Sequence, residues 1–342
     1  MKAIILDKIG GNFTLTENWT VPTPSKSQIL VQTSITSINP IEGIQQATGM
    51  MVKSWPIALG CDASGIVVKA GEDVKNFKVG DRVSGTTRLG TSGHGTFQEF
   101  FLMDAPLAFK TPKNLSDEQA ATFGSGIVTA YFVLLNGINI DLENGKYSDE
   151  WIILIGAAGS VGQFSVQIAK LWGFKVLAFC APTNNELVTS LGADGIVNHR
   201  LPLEEQLREV QNITGGNFCR VFDSSAMATE TAIAALDKIS NAKDGSKYFA
   251  TTNDWTTIEP KEGINIYQAD IGSIGQGGEE TKLNKKVAEY IPLLEKYLTT
   301  GELKTMKYQQ EEEIGFGGIL KALAAFQTKK GRETKTIVRV SL

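Results

Sequence analysis

Ala157, Gly159 and Gly162 stand at the spacing A-x-G-x-x-G in "WIILIGAAGSVGQFSVQIAKLWG", directly after an apolar run and directly before a helical pattern. Small residues at that spacing suit the capture of a pyrophosphate. Gly159 lets the backbone come close to the phosphates, and Gly162 lets the helix pack tightly on the strand. The free N–H groups at the helix start face the anion with the positive end of the helix dipole. Ala157, Ala158, Gly159, Ser160, Val161 and Gly162 are therefore expected to form a phosphate-binding turn. The bland alternative, a tight strand-to-helix turn without a ligand, is disfavoured by the strand and helix units that follow.

The end of the next strand bears on which dinucleotide is bound. An acid there, about 20 residues after the fingerprint, would bind a ribose 2′-hydroxyl. Here the chain reads Phe179, Cys180, Ala181, Pro182, Thr183, with no acid until Glu186. A 2′-phosphate would not be repelled, and NADP(H) is the expected cofactor. Ala181, Thr183 and Asn184 would lie near it, joined by His199 and Arg200 from the following strand end. A solvated loop accounts for His199 and Arg200 almost equally well.

Cys61 and Asp62, between Gly60 and Ala63, raise the question of a metal. A catalytic zinc needs three protein ligands and an open position. Cys61, Asp62 and His94 would make an unusual set, and Cys180 and Cys219 fall in the other half of the chain. Cys61 is expected instead to be a small, buried, apolar wall of a pocket, and His94 to sit in a flexible glycine-rich loop. No metal is expected.

Two kinds of element must position these residues. The first ~120 residues read as short strands between turn residues, for example Ala3 to Leu6, Gln28 to Ser34, Gly65 to Lys69, Arg82 to Gly85 and Phe97 to Leu102. Ser116 with Asp117, Glu118 and Gln119 signals a helix start. From about Tyr147, apolar strands alternate with helices, which predicts a parallel sheet covered on both faces. An amphipathic helix with Val287, Ile291 and Leu294 on one stripe follows. The terminal strand is then free to return to the first, β-rich part.

The chain has 342 residues, 42% hydrophobic and 20% charged, which suits two domains of an ordinary globular protein. A net charge of −4 argues against nucleic acid, and the basic stretch from Lys330 to Lys335 reads as a solvated turn. The apolar run Ala3 to Leu6 is too short for a signal or a membrane span. Three distant cysteines supply no disulfide framework, so a cytoplasmic location is expected.

Together "SINPIEG", "LGCDASGIVVKAGEDVKNFKVGDRV", "GTFQEF", "TAYFVL", "GAAGSVGQFSVQIAK", "LGAD" and "GRETKTIVRV" resemble the medium-chain dehydrogenase/reductase superfamily across essentially the whole chain. The resemblance implies an α/β fold: a Rossmann nucleotide-binding domain (126–276) inserted into a GroES-like β-barrel domain built from 1–125 and 277–342. "FCAPTNNELVTSLGAD" is most similar to the zinc-free branch of quinone oxidoreductases and trans-acting enoyl reductases. The zinc enzymes of this superfamily carry a cysteine in the loop matching "SINPIEG" and a cysteine cluster matching "SGHGTFQEF". They have Gly-His-Glu where this chain has Gly60, Cys61 and Asp62.

The same resemblance places Asn39 in the loop facing the nicotinamide and the acceptor, Thr129 at the nicotinamide end, and Gly272 and Ser273 beside the ring. Bland alternatives are a turn cap for Asn39, a bond to its own helix for Thr129 and a turn at Gly272. Related enoyl thioester reductases have a tyrosine shortly after the Asn-Pro loop, and this chain has none there. Tyr131 is expected to pack in a helix, leaving protonation to solvent. Ile44, Met50, Met51, Trp55 and Cys61 suggest an apolar acceptor pocket, with ordinary core as the alternative. The implied activity is zinc-independent hydride transfer from NADPH to an activated alkene or quinone. An aldehyde or alcohol oxidoreductase and a non-catalytic cofactor-binding partner protein are the other readings. A small-molecule substrate and a monomer or homodimer are expected.

Overall fold

The computed structural model describes residues 1–141, 147–243, 245–277, 281–328 and 333–341; Lys330 and Arg332 of the basic stretch lie outside them. The chain divides into two compact units. The first comprises Met1–Ser125 with Gly272–Leu342, the second Gly126–Ile271.

The first unit begins with β1 (Ala3–Leu6), β2 (Thr14–Thr16), β3 (Gln28–Ile38), α1 (Pro40–Thr48), β4 (Ile57–Ala58) and β5 (Asp62–Ala70). It continues through β6 (Arg82–Thr86), β7 (Phe100–Asp104), β8 (Phe109–Lys110) and α2 (Asp117–Ala120). The long strand β3 pairs antiparallel with both β5 and β7. Ile29, Val31, Ala63, Val67, Val83, Phe101 and Met103 fill the space behind these strands, since branched and aromatic side chains pack well on a pleated surface. Ser116 closes α2 with a capping box: its hydroxyl accepts the Gln119 N–H at 3.2 Å while the Gln119 side chain accepts the Ser116 N–H at 3.0 Å.

One helix departs from the sequence expectation. The resemblance places "SINPIEG" in a loop, yet Pro40 is the first residue of α1. Proline at that position has no N–H that the helix needs and a φ already suited to it.

The second unit begins within α3 (Gly124–Gly137), whose first two residues belong to unit one. It contains β9 (Trp151–Ile155), α4 (Ser160–Leu171), β10 (Lys175–Cys180), α5 (Asn185–Ser190), β11 (Gly195–Asn198) and α6 (Leu203–Thr214). β12 (Phe218–Asp223), α7 (Thr229–Lys238), β13 (Lys247–Thr251) and β14 (Ile264–Gln268) complete it. The strands are parallel in the order β11-β10-β9-β12-β13-β14. This is the doubly wound order, and its direction reverses between β9 and β12. Ile153, Ile155, Leu177, Phe179, Val197, Val221 and Phe249 form the buried sheet layer under the helices.

The chain then re-enters the first unit through α8 (Lys282–Thr300), β15 (Tyr308–Gln310), α9 (Phe316–Thr328) and β16 (Lys335–Arg339). Thr281 caps α8 by accepting the Asn284 N–H at 3.2 Å, and Val287, Ile291, Leu294 and Leu298 are its buried stripe. β16 lies antiparallel to β3, with Thr336 opposite Ile38. On the other side of β3, Ser37 is opposite Asp62. That register brings the residues just beyond the end of β3 between the starts of β5 and β16. Lys335 is therefore part of a strand, buried at 5% exposure, and not of a solvated turn.

Candidate functional site

The glycine-rich turn from Ala157 to Gly162 leaves β9 at the point where the strand order reverses. Gly159 caps α4 without any side-chain bond, so the N–H groups of Ser160, Val161 and Gly162 have no acceptor within the helix. The Ser160 hydroxyl is buried and has no hydrogen-bond partner among the described residues. An orphaned hydroxyl beside three free N–H groups at a helix N-terminus matches the needs of a pyrophosphate. A Cβ on Gly162 would collide with the Gly156 carbonyl oxygen, which explains the glycine there. The turn is held from behind: Gln163 Nε2 donates to the Ala158 carbonyl at 2.8 Å and the Ala157 N–H to the Phe179 carbonyl at 3.1 Å. Gly126, on α3, lies against Ser160, so the helix that carries Thr129 starts beside the phosphate turn; Thr129 itself is buried.

At the end of β10, Ala181 is buried, Asn184 half-buried and Thr183 exposed. Cys180 is opposite Asn198 in the parallel pairing with β11, so His199 and Arg200 emerge beside Ala181, both exposed. Partial burial and the neighbouring Arg200 guanidinium depress the His199 pKa. No carboxylate stands between Phe179 and Asn185, and the ends of β10 and β11 are neutral or cationic.

The first unit holds Asn39, Ile44, Trp55, Cys61, Gly272 and Ser273, and its register gathers a compact polar cluster. Lys335 Nζ lies 3.0 Å from Asp62 Oδ2 and also donates to Asn39 Oδ1. Asn39 Nδ2 donates to Cys61 Sγ at 3.3 Å, and the Asn39 main-chain N–H donates to Glu42 Oε2 at 2.6 Å. Asp62 further accepts the Ser125 N–H at 2.7 Å and the Ser125 hydroxyl at 2.8 Å. Burial raises the Glu42 carboxyl to about 7, against an opposing pull from the Asn39 N–H and Lys335. Burial, reinforced by Asp62 and Glu42, pushes the Cys61 thiol well above its ordinary value.

These contacts correct the expectation of an apolar wall. Cys61 is buried, but it borders an ion pair and a carboxyl, because the register puts a lysine and an aspartate at neighbouring strand ends. The Asp62 carboxylate is neutralised by the Lys335 ammonium. Among the described residues, no three His, Cys, Asp or Glu side chains converge as a metal ligand set.

His94 also differs from expectation. It is 3% exposed, with Nε2 3.3 Å from the side-chain nitrogen of Gln28, which donates to Asp104 at 3.1 Å. The glycines around it let the loop fold inward onto β3 and β7, and burial lowers the imidazole to about 4. His94 is neutral at pH 7.

Around the expected acceptor side, Ile44 is half-buried on α1. Trp55 packs against the core formed by Ile4, Leu6, Ile38, Leu59 and Phe97, as its core alternative expects. Met51 lies against Gly272, where an added Cβ would come within 2.7 Å of its Cε. The segment that carries Gly272 and Ser273 is tied to the 89–91 loop: Gln276 Nε2 donates to the Leu89 carbonyl at 3.3 Å and to Thr91 Oγ1 at 3.0 Å. Tyr131 packs edge-on to Trp172, with ring centroids 5.4 Å apart.

Glu42 and Lys335 escaped the sequence reading for different reasons. Asn39-Pro40-Ile41-Glu42 carries a helix-start signature, a capping residue followed three positions later by glutamate. Lys335 has no local signal, because its partners come from the opposite end of the chain.

Residues 25–113 match the family model of the alcohol dehydrogenase GroES-like domain. The trans-enoyl reductase RAP2 of Pyricularia oryzae is 27% identical over 98% of this chain and 97% of its own length. The trans-enoyl reductase tazE of Aspergillus terreus is 34% identical over 58% of this chain and 68% of its own length. In fold, the chain is similar to the Escherichia coli quinone oxidoreductase solved in complex with NADPH, at a TM-score of 0.76 and 21% identity over 99% of this chain and 100% of that one. With a GroES-like first unit, a doubly wound second unit and these relatives, the chain belongs to the medium-chain dehydrogenase/reductase superfamily, in its branch of quinone oxidoreductases and trans-enoyl reductases.

Proposed function

We propose that this chain reduces an activated carbon–carbon double bond or a quinone with NADPH. The observation that carries the reading is the phosphate turn, where the orphaned Ser160 hydroxyl and the uncapped start of α4 fit a dinucleotide pyrophosphate. When bound, the nicotinamide supplies a hydride. A 2′-phosphate is favoured over a bare ribose hydroxyl by the lack of an acid after β10 and by Thr183, Asn184, His199 and Arg200 at the two strand ends.

In this reading Asn39 orients the acceptor. Its amide oxygen is held by Lys335 and one N–H by Cys61, which leaves a second N–H to donate to an acceptor oxygen. A fixed donor of that kind stabilises negative charge as it develops on the oxygen. Thr129 is assigned to the nicotinamide end, and Gly272 and Ser273 to the ring's flank, with Met51 between that segment and the acceptor. Ile44 lines the acceptor pocket. The three cysteines, all free thiols, fit a reducing compartment. No described helix is long and apolar enough to cross a membrane.

The test is cofactor oxidation across quinones, enones, enoyl thioesters and aldehydes, with NADPH and NADH in parallel. NADPH consumption with an alkene or quinone, at least about tenfold faster than with NADH, is the expected result; such a ratio corresponds to about 1.4 kcal/mol of discrimination. Turnover confined to aldehydes, or none despite NADPH binding, overturns the reading.

A further inference from the structure

Glu42 is the one carboxyl of the Asn39 cluster without a matched countercharge. It sits at the third position of α1, completely buried, with Oε2 fixed by the Asn39 main-chain N–H and Oε1 without a partner among the described residues. The groups facing it are the Lys335 ammonium from β16, the Asp62 carboxylate from β5 and the Cys61 thiol just before β5. Lys335 is already paired with Asp62. The cluster thus holds one cation for two carboxyls, and in a dry site only one carboxyl is readily ionised. Asp62, with two hydrogen bonds from Ser125 besides the one from its charge partner Lys335, is the one suited to carry the charge.

We propose that Glu42 is a positioning residue: as a neutral acid it leaves Lys335 on the Asn39 side-chain oxygen, and on ionising it draws the ammonium away and frees the Asn39 amide. The proposal rests on the reductase reading only where it concerns the acceptor; the coupling between Glu42 and Asn39 belongs to the fold. Lys335 and Cys61 hold the two ends of the Asn39 amide. A shift of Lys335 toward Glu42 removes one of the two, and the remaining N–H no longer points in a fixed direction. The proton passes to solvent, and no other bond is made or broken. The pH range is set by the carboxyl, whose burial raises it to about 7.

Two readouts test this, one of them independent of turnover. In protein selectively labelled with ¹⁵N-asparagine, the Asn39 side-chain amide signal, assigned by its loss in Asn39→Asp, is followed between about pH 5.5 and 9. The expected result is a shift with a midpoint near 7 in the wild type and none in Glu42→Gln. Acceptor kinetics at saturating NADPH are measured over the same range. The expected wild-type profile is flat in acid and falls at least about tenfold by roughly pH 8.5, the slope of one ionisation, mainly through a higher acceptor KM. Glu42→Gln is expected to stay within about threefold of the acid plateau throughout.

An Asn39 signal that does not move overturns the proposal even if Glu42→Gln fails to fold. A variant that keeps the wild-type alkaline limb overturns it as well. If no acceptor is reduced, the reductase reading falls while the amide titration still decides the coupling.

Discussion

A carboxyl that ionises more reluctantly in the folded chain than in the unfolded one leaves a mark on stability. For Glu42 the folded value is about 7 against an ordinary 4.5, so the folded state binds the proton more tightly. The associated stability is fully present below about pH 4.5 and is lost as the pH rises through about 7. Over that interval it amounts to about 3 kcal/mol at 1.4 kcal/mol per pH unit. Urea unfolding of the wild type should show this decline, and Glu42→Gln should lack it; equal slopes in the two proteins would refute the assignment. Lys335→Met addresses the same cluster from the other side. It leaves Asp62 as an unpaired buried charge, and a loss of about 3–5 kcal/mol is expected in the same experiment. At this scale the sequence was legible wherever function sits in neighbouring residues. The strand-to-helix turn from Ala157 to Gly162 could be read from its spacing together with the apolar run before it and the helical run after it, and Glu42 was within reach of the same kind of reasoning. Cys61 was read as apolar because its neighbours in sequence say nothing of the lysine that strand pairing brings to it.

The short helices and the loops carry the site's precision, and they are the elements that sequence patterns describe least well. α1 is only nine residues long and contains both proline and glycine, so its helical period is hidden. The strands of the second unit were readable because buried parallel strands are continuous apolar runs flanked by helices, as in "EWIILIG" and "KVLAFC". β14, with half-buried residues at the sheet edge, has no such run. The turn between β9 and α4 is the element whose failure should be felt most directly. Gly162→Ala forces α4 away from the Gly156 carbonyl, which moves the three N–H groups proposed to meet the phosphates. Calorimetric titration should show NADPH binding weakened by at least about tenfold, equivalent to about 1.4 kcal/mol, with the acceptor side unaffected. Binding unchanged to within about twofold would show that the turn does not hold the cofactor.

The whole molecule is organised by an interruption. The composition change near Tyr147, from short strands among turn residues to alternating strand and helix, made the two architectures visible before any coordinates. What the sequence pattern could not display is how strongly the first unit depends on its last strand. β16 closes one side of β3, and with α9 it covers the core that includes Ile4, Ile38, Leu59 and Phe97. Removal of residues 333–342 strips the Ile35–Ile38 end of β3 of its partner and takes Lys335 from Asp62. The first unit should then lose its cooperative thermal transition, whereas the second keeps its own sheet and core. Calorimetry of the truncated chain should show a single remaining transition; two intact transitions would contradict the dependence.

The return of β16 to β3 also imposes an order on synthesis. Asn39 and Lys335 are separated by 296 positions, all of which must leave the ribosome before the two can meet. At about 5–20 residues per second the nascent first unit waits roughly 15–60 s with the Ile35–Ile38 end of β3 open along one edge. Before that interval ends, once Gln268 has been made, the second unit has every strand it needs. The half that carries the β9–α4 turn is thus able to mature first, and the buried charge of Asp62 receives its partner only when Lys335 is made.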